Sequence, residues 1–162
     1  MSSVDVVVEH LLAVVVPDVA LPASDGSTVR VARLGAGRTA VHASPVTGTP
    51  GADPPGGWEG FRDRHAELAR AGAAVLGVST QPTEVLCEAA QRLGLGFALL
   101  SDAELQLTSA LRLPTTVAEG TTMMERLTLV VRDGRIEHVF HPVLAGDAHA
   151  AEVLAWLQAH PD

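Results

Sequence analysis

The sequence predicts an α/β fold, a mixed central sheet flanked by helices on both faces. Three observations predict it. Apolar, β-branched segments alternate with segments of helical period along most of the chain. The run AAVLGVS at residues 73–79 has the unbroken apolar character of a strand covered on both sides. Near its end the chain has two strand-like runs around Asp133-Gly134 and then one more helical stretch, and a hairpin placed there makes the sheet mixed. With 162 residues and 47% hydrophobic content, one domain spanning residues 1–162 is expected, with a core of useful size.

The elements follow in order. Residues 6–16 are apolar enough for either a short helix or a strand. Residues 19–31 read as a hairpin around Asp25-Gly26, a favoured primed-turn pair. Residues 39–44 predict a buried strand, and the segment PVTGTPGADPPGGWEGFRD (residues 45–63) leaves it. Its path is imposed by prolines, which fix φ, and glycines, which permit positive φ. A strand end, a shaped loop and a helix start form a common place for chemistry in an α/β domain. Residues 60–71 predict an amphipathic helix ending at Gly72, and residues 83–93 a second one stopped by Gly94. A short strand at 97–100 precedes Ser101-Asp-Ala-Glu104, a capping box for a helix to about Leu111. Residues 127–131 and 135–140 form the late hairpin, and residues 148–159 the last helix.

Charge and motifs exclude several function classes. A formal net charge of −8 argues against nucleic acid and anionic membrane as partners. No apolar run reaches the length of a membrane span, and residues 6–16 are interrupted by Glu9 and His10 without a basic segment before them, so a cytoplasmic location is expected. The single cysteine, Cys87, makes neither an intramolecular disulfide nor a cysteine metal cluster. It lies mid-helix, with no Lys, Arg or His three or four residues away to depress its pKa. Neither a GxxxxGK[ST] loop nor a GxGxxG turn is present. His138 and His141 are three apart on a strand, hence on opposite faces, and His149 starts the last helix. No metal and no cofactor are expected.

Six pieces occur in a fixed order: ALPASDGSTVRV, SPVTGTPG, FRDRHAELARAGAAVLGVST, LGLGFALLSD, RLTLVVRDGRIEHVF and HAAEVLAWL. Together, from about residue 19 to residue 157, they resemble the peroxiredoxin (alkyl hydroperoxide reductase/thiol-specific antioxidant) family, and look most like its bacterioferritin-comigratory-type branch. The resemblance implies a thioredoxin-like fold. It also implies a PxxxTxxC pattern, whose cysteine is a thiolate at a helix N-terminus beside a distant Arg. Pro45 and Thr49 match that pattern and Arg126 matches the Arg, but Ala52 stands where the peroxidatic cysteine belongs. A second alignment reads TGTPGADPPGGW as the loop of one bacterial subgroup, followed by deletion of the whole cysteine-bearing segment. Both alignments remove the nucleophile.

The candidate site therefore consists of what surrounds the vacated position. His42 and Ser44 share a strand face, and His42 replaces an aromatic residue usual in the family's strand. His42 is the candidate acid/base group and Arg126 the candidate electrostatic clamp. Ser44, Pro45, Thr49, Ala52 and Trp58 are the candidate substrate contacts. The function expected is a cofactor-free enzyme acting on a small organic molecule, biosynthetic ones included, in the former peroxidatic pocket, with a homodimer as the assembly. Two rivals stand beside it: a non-catalytic binding or scaffold protein, and a weak thiol peroxidase working through Cys87. Whether the protein is an enzyme stays open at this point, because the family's nucleophile is missing.

Overall fold

The computed structural model describes residues 9–34, 37–44, 58–118, 120–141, 143 and 148–161. After a 3-10 turn at Glu9–Leu11 the chain forms β1 (Ala20–Pro22), β2 (Thr28–Arg30) and β3 (Arg38–Ala43). Then come α1 (Trp58–Asp63), α2 (His65–Arg70), β4 (Ala73–Ser79), α3 (Thr83–Leu93), β5 (Leu99–Ser101) and α4 (Gln106–Leu111). The last third contains β6 (Thr115–Ala118), β7 (Thr121–Met124), β8 (Leu127–Arg132), β9 (Arg135–Phe140) and α5 (Ala148–Ala159). The main sheet has the order β5-β4-β3-β8-β9. β3 runs parallel to β4 and antiparallel to β8, so the sheet is mixed, as the late hairpin predicts.

β3 sits at the centre, and all six of its residues are buried. Its alternation sorts the core into two halves. Val41 and Ala43 join Val78, Leu100, Leu107, Leu111, Leu127 and Leu129 on one face, where α4, β1 and the N-terminal segment pack. Ala40 joins Phe61, Leu68, Val75, Val130, Val153 and Leu157 on the other, under α1, α2 and α5. Residues 13–16 run along the outer edge of β9, with Ala13 N–H donating to the Ile136 carbonyl at 2.9 Å and Val16 N–H to the Gly134 carbonyl at 2.8 Å. The ambiguous apolar run at 6–16 thus covers a sheet edge over its described part, as an unpaired edge requires. At the β8–β9 turn both Asp133 (φ 51°) and Gly134 (φ 77°) are left-handed, the conformation a primed two-residue turn demands.

Several expectations need correction. The helix expected over 60–71 starts at Trp58 and is interrupted at Arg64, whose ψ is 13°. Arg64 N–H still donates to the Gly60 carbonyl and Leu68 N–H to that of Arg64, so Phe61 and Leu68 stay in one core. The capping box at 101–104 does not form. Ser101 belongs to β5 and its hydroxyl donates to the Gln81 carbonyl. Instead the Asp102 carboxylate accepts the Leu107 and Thr108 N–H groups at 3.0 and 2.7 Å, and the helix begins at Gln106 after a left-handed Leu105. The β1–β2 connection is five residues long, because Asp25 accepts the Ser27 N–H at 2.9 Å in a side-chain turn. The β6–β7 hairpin is an addition that the sequence pattern does not predict.

One close approach fixes where α1 begins. Gly77 on β4 is the register partner of His42 on β3. A Cβ added at Gly77 would lie 2.3 Å from Leu99 Cδ2 and 2.6 Å from Trp58 Nε1. The bare backbone at Gly77 is therefore the slot that receives the indole, which is 3% exposed. Gly77→Ala is expected to cost about 1–3 kcal/mol, the usual range for overpacking a filled site. A thermal melt should show a fall in Tm of roughly 2–4 °C for each kcal/mol lost. An unchanged Tm would mean that the indole is not seated there.

Candidate functional site

The site builds outward from His42. Its register partner on β8 is Thr128, and paired residues of neighbouring strands project to the same face. His42 Nδ1 and Thr128 Oγ1 are 2.8 Å apart, and both residues are fully buried. Thr128 Oγ1 is in turn 2.7 Å from His149 Nε2, at the start of α5. His149 Nδ1 lies 3.2 Å from Glu152 Oε1, one turn further along that helix. The spacing of three brings His149 and Glu152 to one helix side, with the imidazole buried and the carboxylate 68% exposed. Four side chains from two strands and a helix thus form one hydrogen-bonded chain from the core to the surface. Its inner end is His42 Nε2, which is buried and has no hydrogen-bond partner among the described residues.

Aromatic rings wall this chain. The His42 ring lies 4.8 Å from Phe61 and 5.4 Å from His149, and Phe140 meets His149 edge-on at 5.5 Å. The Trp58 indole donates to the His42 carbonyl oxygen at 3.0 Å, so it holds the main chain of His42 rather than the ring. Burial holds the His42 pKa well below the usual histidine value, with His149 and Arg126 adding to the effect through their charge. Burial also lowers His149, against the opposing pull of Glu152 and with Arg126 again acting downward. Arg126, half-buried just before β8, is the charge that both imidazoles feel.

The sequence candidates separate clearly. His42 and Arg126 fall in one electrostatic neighbourhood. Ser44 directly follows the central strand, buried, with its N–H donating to the Val78 carbonyl at 3.2 Å. Trp58 is enclosed among Leu86, Ala89 and Leu99. Pro45, Thr49 and Ala52 lie outside the described residues. Thr128 and Glu152 escape sequence reasoning. The signal for Thr128 is a lone hydroxyl in the apolar strand LTLVV, and for Glu152 its spacing of three from His149. Cys87 sits in α3, half-buried, with the Gln91 amide donating to its sulfur at 3.5 Å.

Comparison with known proteins gives one consistent answer. The AhpC/TSA family model matches residues 13–139. Peroxiredoxin Bcp of Escherichia coli is 32% identical over 150 residues, covering 90% of this chain and 94% of its own length. Among solved structures, peroxidoxin BcpB from Mycobacterium tuberculosis superposes with a TM-score of 0.77 at 28% identity, over 93% of this chain and 98% of that one. The Xanthomonas campestris bacterioferritin comigratory protein gives a TM-score of 0.76 at 27% identity, over 91% and 98%.

The buried imidazoles make stability depend on pH. In the unfolded chain each titrates at about 6.5, whereas in the fold His42 and His149 titrate lower, as does His138 through burial. Below about pH 6.5 the unfolded chain therefore binds more protons, and the stability present above that value is lost as pH falls toward the folded values. Each such group contributes a slope of up to about 1.4 kcal/mol per pH unit. Urea melts between roughly pH 7.5 and 5 should show this slope, and His42→Phe should reduce it by one histidine's share. Equal slopes in the two proteins would contradict the neutral, buried state of His42.

Proposed function

This chain belongs to the AhpC/TSA family of peroxiredoxins, and from that premise we propose that it works without the family's thiol chemistry, as a cofactor-free enzyme on a small organic molecule. One observation carries the reading. The buried chain Glu152–His149–Thr128–His42 ends in a ring nitrogen with no bonding partner among the described residues. Buried polar atoms are ordinarily satisfied, and an exception marks strain, water or function. His42 Nε2 is thus the acid/base group of the site, and Arg126 supplies positive charge to a polar or anionic substrate. On the strength of the resemblance, Ser44, Pro45, Thr49 and Ala52 are the proposed substrate contacts, in a cytoplasmic homodimer, whereas Trp58, enclosed in the core, is not one of them.

The thiol route lacks its reagent. Alkyl peroxide reduction is the activity named for the Xanthomonas campestris relative, and in this family it begins with a thiolate nucleophile. The one thiol here is Cys87, which the resemblance does not align with the peroxidatic position. A second reading, a binding or scaffold protein without turnover, is favoured by Trp58, whose ring is packed into the core at 3% exposure rather than left to line an opening.

Two measurements divide these readings. Consumption of hydrogen peroxide with a thiol reductant should equal that of the protein-free control, for the native protein and for Cys87→Ser alike. Turnover that disappears in Cys87→Ser would restore the peroxidase. Incubated with a metabolite extract and recovered by gel filtration, the native protein should carry a small molecule, detected by native mass spectrometry, that His42→Phe does not. Retention by neither protein would favour the scaffold.

A further inference from the structure

We propose that Thr128, His149 and Glu152 form a proton path with a single direction, from His42 Nε2 in the core to solvent at Glu152, so that the substrate group meeting His42 must be a hydrogen donor. The proposal rests on His42 being the working group of the site described above. It makes Thr128, His149 and Glu152 positioning residues for that group.

The direction follows from counting hydrogens. A glutamate carboxylate has only acceptors, so at the 3.2 Å contact it is His149 Nδ1–H that donates. A neutral imidazole carries one N–H, which leaves His149 Nε2 as a lone pair. The Thr128 hydroxyl must then donate to that nitrogen across 2.7 Å. Having spent its single hydrogen, Thr128 Oγ1 accepts from His42 Nδ1–H across 2.8 Å. His42 Nε2 is left as a bare lone pair, and it is the atom without a partner among the described residues. One exposed carboxylate thus sets the tautomer of a fully buried histidine three links away. The charged and titratable groups acting on the two rings are Arg126 on both, Glu152 on His149, and His149 on His42. Phe61 and Phe140 close the rest of the wall.

The same chain disposes of a proton. When a substrate O–H or N–H bond breaks, its hydrogen bonds to His42 Nε2 and its electron pair stays on the substrate. His42 Nδ1 passes its hydrogen to Thr128 Oγ1, and the original hydroxyl hydrogen moves on to His149 Nε2. His149 Nδ1 gives its hydrogen to the Glu152 carboxylate, which releases it to water. Both rings end in the opposite tautomer and neither imidazole keeps a charge. A carboxylate or other acceptor presented to Nε2 gains nothing, so the site selects weak acids that carry their own hydrogen at that atom.

The test reads the tautomer directly. In the full-length native protein, labelled with nitrogen-15 in its histidines, His42 should show a protonated Nδ1 and an unprotonated Nε2. Glu152→Lys replaces the acceptor by a group with donors only, at a side chain 68% exposed, so the fold is retained. His42 should then exchange its two nitrogen-15 resonances, with Nε2 becoming the protonated one. Combining Glu152→Lys with Thr128→Val should abolish the exchange. A native His42 protonated at Nε2, or a tautomer unmoved by Glu152→Lys, would overturn the path. Should the metabolite retention fail while the tautomer switches, the enzyme reading and the substrate rule fall, and only the hydrogen-bond order along the chain stands. Should retention succeed while the tautomer stays fixed, the path falls alone.

Discussion

The antiparallel register of β3 with β8 is the constraint on which the rest of this structure depends. It places His42 opposite Thr128 at the centre of a sheet where all residues of β3 are buried. A histidine there needs a polar partner, because a buried ring nitrogen left without one costs a desolvation penalty. Thr128 satisfies one nitrogen. A slip of the register by one residue would bring Leu127 or Leu129 to that position, turn Thr128 to the other face and strand both nitrogens. Register, hydrogen bonding and the packing of α5 therefore specify one another.

The helix completes what the strands begin. α5 lies on the same face as His42, burying Val153, Leu154 and Leu157 in the core it shares with Phe61 and Val130. That apolar seam fixes the depth of the helix, and the depth puts His149 within 2.7 Å of Thr128. On the adjoining strand, Gly77 makes room for Trp58, whose N–H takes the His42 carbonyl. The main chain of His42 is thereby held from α1 and its side chain from β8. A residue anchored at both ends keeps its ring, including the nitrogen without a partner among the described residues, in one place.

Membership of the peroxiredoxin family and the chemistry of the site concern different parts of the chain. The six matching pieces lie mostly in the sheet and its helices, where apolar pattern and turn chemistry specify the scaffold. The family's nucleophile belongs to one loop and one helix start. A scaffold does not dictate the chemistry it carries, because its stability comes from buried apolar area. His42 is compatible with that packing, since its ring lies against those of Phe61 and His149.

Much of this fold is legible because it rests on local rules. The strand at 73–79, the helices at 83–93 and 148–159 and the turn at Asp133-Gly134 are set by apolar period, a left-handed glycine and a two-residue turn, all readable within a dozen residues. The failures share one cause. Ser101 meets the pattern of a helix cap, yet the sheet claims it for β5 and leaves Asp102 to cap α4 from a distance. Residues 60–71 have the period of one helix, and tertiary packing of Phe61 and Leu68 accommodates a break at Arg64. For the site, the sequence by itself determined that His42 lies in a buried strand, that Arg126 directly precedes a later one and that a single thiol lies elsewhere. Only the tertiary structure decided what His42 bonds to, because Thr128, 86 residues away, and then His149 and Glu152 beyond it, are brought to it by strand pairing and helix docking, which no local pattern records.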